Sequence, residues 1–253
     1  MTSFAYVDTH CHLNRYPTPL DVLEQARAAR VTVVAVTELP SGYQAMSIML
    51  GPSKTGVIPA IGLHPLRAGT ASPLERSLFD RLLARAPFVG EIGLDFSRSG
   101  QGSRRAQLQV FESILGHVAI RSKVLTVHSR GAEAETIERL LDARATAILH
   151  WYSGPAKHIE SALAAGMCFS INPAMLRGRN GTRLLTAVPQ DRVLIETDGP
   201  YVKLGNRPAR PDDVPGTVGM LAERWNLTPA EVAQRIQVTW DCLLSRGEGK
   251  QMR

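Results

Sequence analysis

Residues 4–12 read FAYVDTHCH. An apolar run closes on an aspartate and two histidines spaced two apart. On a strand, residues i and i+2 point to the same side. His10 and His12 would therefore project together from one strand end, as two ligands on one metal would. Alone, the HxH pattern is ambiguous, because one imidazole capping a hydrogen bond beside one exposed imidazole gives the same letters.

The rest of the chain repeats the theme. Short β-branched runs recur as VTVVAVT (31–37), VIPAIGLH (57–64), FVGEIGLD (88–95), KVLTVHS (123–129), TAILHWY (146–152), MCFSIN (167–172) and RVLIETD (192–198). Each is apolar and bounded by turn residues, as buried strands are. Between them lie PLDVLEQARAAR (19–30), SPLERSLFDRLLAR (72–85), SRRAQLQVFESILGHVAIRS (103–122), GAEAETIERLLDA (131–143), PAKHIESALAAG (155–166) and TPAEVAQRIQVTWDCLL (228–244). These carry apolar residues at helical spacing with a polar face. The second opens with a serine cap and a proline in its first turn.

Eight strands alternating with helices predict an α/β fold of the TIM-type, a (β/α)8 barrel, as one domain over residues 1–253. The competing open doubly wound sheet often carries a glycine-rich phosphate loop after its first strand. Here that stretch, DTHCHLNRYP, has no glycine. The segment GPYVKLGNRPARPDDVPG (199–216) reads as a long loop after the eighth strand. NPAMLRGRNGTRLL (172–185) reads as a basic segment after the seventh, and SRGEGKQMR (245–253) as a frayed tail.

Composition narrows the class. No apolar run approaches the roughly 18–20 residues of a membrane span, and MTSFAYVDTH lacks the basic and apolar regions of a secretory signal. Cys11, Cys168 and Cys242 are odd in number and far apart, which argues against a disulfide framework or a thiolate zinc site. A cytoplasmic protein without membrane contact is expected. The net charge is +6 and arginine greatly outnumbers lysine. That balance favours polyanionic partners, although codon bias in a GC-rich genome produces the same excess.

Active sites of such barrels form at the C-terminal ends of the strands. Polar residues close the strands in order: Asp8, His10 and His12; His64; Glu91 and Asp95; His128; His150; Glu196 and Asp198. Five of the seven histidines fall at such ends, while His117 and His158 lie on expected helices. Imidazoles with carboxylates can hold two divalent cations, which clamp the attacking and leaving oxygens of a phosphodiester when roughly 3.5–4 Å apart. A carboxylate bridges two metals naturally, and Glu91, from the middle of the barrel order, is the expected bridge. His10, His12 and Asp198 would complete one site, and His128 and His150 the other. Asp198 would also orient or deprotonate the attacking water. Cys11, between two ligands but on the opposite face, reads as packing.

The succession DTHCH, GLHP, GEIGLD, HS, HWYSG and ETDGPY resembles the TatD family of metal-dependent deoxyribonucleases, a branch of the amidohydrolase-like barrels. Each motif is weak alone; in this order, from residue 8 to about 208, they cover nearly the whole chain. The resemblance implies 3′-to-5′ exonuclease or related phosphodiesterase activity on DNA, on single strands or ends. It implies metals at His10, His12, Glu91, His128, His150 and Asp198, with Mg or Mn in use and Zn expected to copurify with a histidine-rich site. It places a phosphate-contacting histidine at His64.

The chain also departs from the family pattern. TatD proteins usually show HCFSG or HSFSG at strand six, where this chain has HWYSG. Trp151 and Tyr152 are therefore candidates for stacking on a base or ribose, with packing as the alternative. Asn206-Arg207-Pro208 stands where Asn-Glu-Pro is usual. Such divergence resembles QatD, the TatD-like component of the Qat anti-phage defence system, and would bring other proteins of a defence cassette as partners. Basic residues near the rim, Arg179 and Lys203 first, then Arg207, with Arg98, Arg104, Arg105, Arg130, Arg177, Arg183 and Arg210, are expected to include phosphate contacts. Two other functions stay open on residues alone. One is a metal-dependent amide or ester hydrolase, such as a D-aminoacyl-tRNA deacylase; the other is a nucleic-acid-sensing subunit of a defence complex.

Overall fold

The structure, a computed structural model, describes residues 5–52 and 55–247. Eight parallel strands pair in sequence order: β1 (Tyr6–Cys11), β2 (Val31–Ala35), β3 (Val57–Ile61), β4 (Phe88–Gly93), β5 (Val124–His128), β6 (Thr146–Leu149), β7 (Cys168–Ile171) and β8 (Val193–Ile195). All eight expected runs form strands; Asp8, His10, Glu91 and His128 lie within them, and His12, His64, Asp95, His150, Glu196 and Asp198 just beyond their ends. The ladders stop there because the chain turns: Trp151 and Asp198 lie in the left-handed region with φ of 40° and 47°. Phe4 of the first run lies outside the described residues.

The strands are buried on both faces, as parallel sheets require; every residue of β4 is buried. Val33, Ile61, Ile92, Leu125, Leu149, Phe169 and Ile195 belong to one continuous apolar core. The β8–β1 seam is closed near the mouth by individual bonds. Asp198 N donates to His10 O (2.9 Å) and His12 N to Gly199 O (2.8 Å). The buried Asp8 carboxylate accepts from Thr197 N (2.9 Å), Thr197 Oγ1 (2.5 Å) and His10 N (3.2 Å). The barrel is thereby closed and the ends of β1 and β8 become neighbours.

The helices are α1 (Pro19–Ala28), α2 (Pro40–Leu50), α3 (Pro73–Leu83), α4 (Arg104–Leu115), α5 (Glu133–Asp142), α6 (Ile159–Ala164), α7 (Pro173–Arg177), α8 (Arg179–Ala187), α9 (Val214–Trp225) and α10 (Pro229–Gly247). Ser72 caps α3, accepting from Glu75 N. Thr228 and Glu231 form a reciprocal capping box at α10, and Trp240 of α10 stacks on Phe88 of β4 at 5.5 Å.

Several expectations are corrected. The basic segment 172–185, for which no element was expected, forms the helix pair α7 and α8, broken at the extended Gly178. The segment 199–216 contains the hairpin of β9 (Lys203–Leu204) and β10 (Arg207–Pro208), and α9 begins at its end. Pro215 and Gly216 disguised that start, although proline is at home in a helix's first turn. The helix α2 was not expected; Leu39 at its N-cap offers no capping side chain. The helix expected over 103–122 ends at Leu115, and His117 caps the short 3-10 turn Val118–Ser122 that follows, accepting from Ala119 N. His158 likewise ends a 3-10 turn at the cap of α6. The expected tail lies outside the described residues beyond Gly247.

Candidate metal centre

A cavity of about 790 Å³ opens at the C-terminal mouth of the barrel. Its floor is organised around Glu91 on β4. Glu91 Oε1 lies 2.8 Å from His128 Nδ1, 2.9 Å from His150 Nε2 and 3.3 Å from His64 Nε2. Its Oε2 faces the β1 pair, at 3.2 Å from His12 Nε2 and 3.6 Å from His10 Nε2. Asp198 Oδ1 approaches the same two nitrogens at 3.5 Å and 3.8 Å. One carboxylate thus presents separate oxygens to two groups of imidazoles, the arrangement a bridge between two cations needs.

Neighbouring side chains fix the rings. His10 Nδ1 lies 2.7 Å from Thr126 Oγ1, and His128 Nε2 lies 2.9 Å from Asp95 Oδ2. Such partners hold a ligating imidazole in one tautomer and orientation. His12 Nδ1 and His150 Nδ1 are buried without a hydrogen-bond partner, the latter facing Glu196 Oε2 at 3.6 Å.

Three sets of side chains could each hold an ion: His10–His12–Asp198, His10–His150–Glu196, and His64–Glu91–His128. The first fits best: the Nε2 atoms of His10 and His12 converge with Asp198 Oδ1, and both nitrogens also face the Glu91 carboxylate. In the second, Glu196 already accepts from Ser170 Oγ (2.5 Å), Asn172 Nδ2 (3.1 Å) and Trp151 N (3.2 Å), so its oxygens are occupied. In the third, His64 Nδ1 accepts from Leu66 N at 3.1 Å. With Nδ1 accepting, the proton sits on Nε2, which offers a donor and not a lone pair. That suits an anionic oxygen better than a metal.

The electrostatics call for positive charge. Burial would raise the Glu91 carboxyl, but His64 and His150 outweigh it and hold it well below the usual range. Burial would lower His150, yet Glu91 and Glu196 hold it well above its ordinary value. Burial pushes Asp198 well up and pulls His10 down to about 3, so its ring is neutral with a lone pair to offer.

The sequence matches the TatD related DNase family over residues 7–243. The chain belongs to that family. It is 29% identical to deoxyribonuclease TATDN3 of Homo sapiens over 216 residues, covering 77% of each chain. It is 30% identical to the 3′-5′ ssDNA/RNA exonuclease TatD of Dickeya dadantii, covering 72% of each. The fold matches YJJV, a TatD homolog from Escherichia coli K12, with a TM-score of 0.83 at 23% identity, covering 95% and 98% of the two chains.

Around the centre, this TatD-family chain differs from the sequence expectations in several places. Trp151 lines the cavity and is 38% exposed, whereas Tyr152 is 2% exposed. The Tyr152 ring packs edge-on against Phe169 and its hydroxyl donates to Pro155 O, so it has no face for a base. Arg207 does not reach the cavity; it grips Asp213 at 2.6 and 2.8 Å. Arg179 and Lys203 are exposed but do not line the cavity. Arg183 donates to Gly154 O, Arg210 to Gln25, and Arg104 pairs with Glu135. Of the expected rim cations, Arg130 lines the cavity. Sequence reasoning missed Arg15, Glu38, Arg67 and Tyr201. Glu38 closes the β2 motif in AVTELP, so the strand-end rule that found the histidines applies to it equally.

Proposed function

We propose that this chain, acting as one hydrolase domain, is a divalent-metal-dependent deoxyribonuclease that removes nucleotides 3′-to-5′ from single-stranded DNA or DNA ends. The observation that carries this reading is the convergence of five imidazoles, Glu91 and Asp198 at the floor of one cavity. Family membership and the names of its relatives support it.

His10, His12 and Asp198 would hold one cation and His128 and His150 the second, with Glu91 shared. Cations held there, Mg or Mn in use and Zn on purification, would supply charge to neutralise the phosphodiester and lower the pKa of water. Asp198 would take the proton of the attacking water. The Nε2–H of His64 would donate to a non-bridging phosphate oxygen. Trp151, exposed at the rim, offers a face on which an unstacked base can rest, and Arg130 offers a fork to a phosphate. The cavity is in the size range of sites that enclose a small molecule, which favours a strand end over intact duplex. The departures HWYSG and Asn206-Arg207-Pro208 support placing this activity in a bacterial anti-phage defence cassette.

The test is cleavage of 5′- and 3′-labelled single- and double-stranded DNA after chelation and re-addition of Mg, Mn or Zn. A metal-dependent ladder shortening from the 3′ end, absent in His128→Ala and Glu91→Gln, is expected. A metal-loaded protein that leaves every DNA intact overturns the reading. Turnover of esters or amides instead would assign the centre to carbonyl hydrolysis.

A further inference from the structure

One carboxylate ties four loops together on one side of the cavity mouth. Glu38, at the end of β2, accepts from Arg15 Nε at 3.1 Å and lies 2.6 Å from Arg15 Nη2. It accepts from Arg67 Nε at 3.0 Å and Nη2 at 2.8 Å, and from the Tyr201 hydroxyl at 2.6 Å. Its side chain is 10% exposed, while the two arginine side chains are 41% and 47% exposed. Arg15 follows β1, Arg67 follows β3 and Tyr201 follows β8.

Two features point beyond a structural tie. The cluster sets two guanidiniums against one carboxylate, leaving an excess positive charge beside a catalytic cavity. Each arginine also spends only its Nε and Nη2 edge on Glu38, so the Nη1 groups take no part in these bonds. Side chains already held by a carboxylate lose little further freedom when they grip an anion, and a guanidinium fork matches phosphate geometry. The location is specific. Arg67 and Tyr201 line the cavity, and Arg67 sits three residues beyond His64 on the short turn Pro65–Arg67, which His64 Nδ1 caps through Leu66 N. The same turn therefore presents the His64 donor to the floor and the Arg67 cation to the rim. At its other end the cluster touches the centre through Tyr201, whose ring meets His12 edge-on at 4.8 Å.

We infer that Arg67 and Arg15, preset by Glu38, form a subsite for the backbone phosphate adjacent to the one that reacts, so that the chain acts on a strand carrying at least two linkages near its end. This inference rests on the nuclease reading above.

It is tested by binding rather than turnover. A short 5′-fluorescein oligothymidylate is titrated against chelated protein by fluorescence anisotropy, with a single neutral methylphosphonate placed at each linkage in turn. In the unmodified protein, neutralising the linkage next to the terminal one weakens binding about tenfold, the scale of one lost charged hydrogen bond. In Arg67→Ala the same replacement costs less than about twofold, because the phosphate has lost its partner there. Arg15→Ala gives the same closing of the gap should Arg67→Ala fold poorly, and Arg67→Lys restores part of it. Equal sensitivity in unmodified and variant proteins overturns the subsite, as does an unmodified protein that binds the strand yet is indifferent to every replacement. Failure of the unmodified protein to bind or cleave any DNA overturns the nuclease reading itself, and the subsite with it.

Discussion

Glu91 and His64 touch each other at 3.3 Å, yet their atoms imply different duties. Glu91 offers both oxygens to imidazoles, so Glu91→Gln should lose bound metal, measured by elemental analysis, together with activity by at least about a thousandfold, or about 4 kcal/mol of barrier. His64 offers a hydrogen on Nε2. His64→Ala should keep the metal content of the unmodified protein and lose about 10²-fold in kcat, the scale of one missing donor to a developing charge. Equal metal loss in both variants would return His64 to the ligand set. A third residue sets an acid limit on stability. Burial would raise the Glu38 carboxyl, but the Tyr201 hydroxyl and the Arg67 and Arg15 guanidiniums outweigh it and hold it at about 2, against 4.5 for the free group. A depressed folded pKa gives stability that is complete above about pH 4.5 and lost as pH falls toward 2. Urea unfolding should show Glu38→Gln weaker than the unmodified protein by about 2 kcal/mol at neutral pH, a figure lowered for the half-exposed arginines. The gap should narrow over that acid window.

At the scale of elements, the strands were legible and the helices less so. A strand buried on both faces must be a short apolar run, and all eight were found that way. Helices α7 and α8 hid because they are short and meet at Gly178, which breaks the apolar periodicity between them. Their packing depends on a close approach no pattern reveals. A Cβ on Gly181 would lie 2.1 Å from Met175 O, so the first turn of α8 rests directly on the backbone of α7. Gly181→Ala should therefore cost about 2 kcal/mol or more by overpacking, read as a lower urea midpoint and faster proteolysis within 172–188. An unchanged midpoint would mean that α7 and α8 separate at little cost. The arginines of this segment were expected at the substrate, and the helices turn Arg183 instead onto Gly154 O.

Across the whole molecule, the candidate centre draws its groups from β1, β4, β5, β6 and the turn after β8, so ion binding should stabilise the entire barrel. At a free-ion concentration a hundred times the dissociation constant, linkage gives about 2.7 kcal/mol, or roughly 5–10 °C in Tm for a domain of this size. Manganese or zinc added to chelated protein should raise Tm by that amount, and His12→Ala should abolish the rise. No rise in the unmodified protein would deny a tight site. The Asp8 carboxylate works at the same scale. It binds Thr197 across the β8–β1 seam and so holds His10 and Asp198 side by side, which their separation of 188 residues along the chain could not do.

The sequence by itself determined the barrel, through the order of apolar runs, and the composition of the centre, through the polar residues that close them. Those readings are local: a strand's period and its last residue are written in consecutive letters. Tertiary structure alone decided which nitrogens of His10 and His128 face inward, because Thr126 and Asp95 reach those rings from other strands and loops. It also decided which cations meet the cavity. A surface arginine has no periodicity to betray its direction, and it goes where an acceptor lies within reach. Asp213 holds Arg207 away from the mouth, and Glu38 holds Arg67 in its lining with Arg15 behind the same carboxylate.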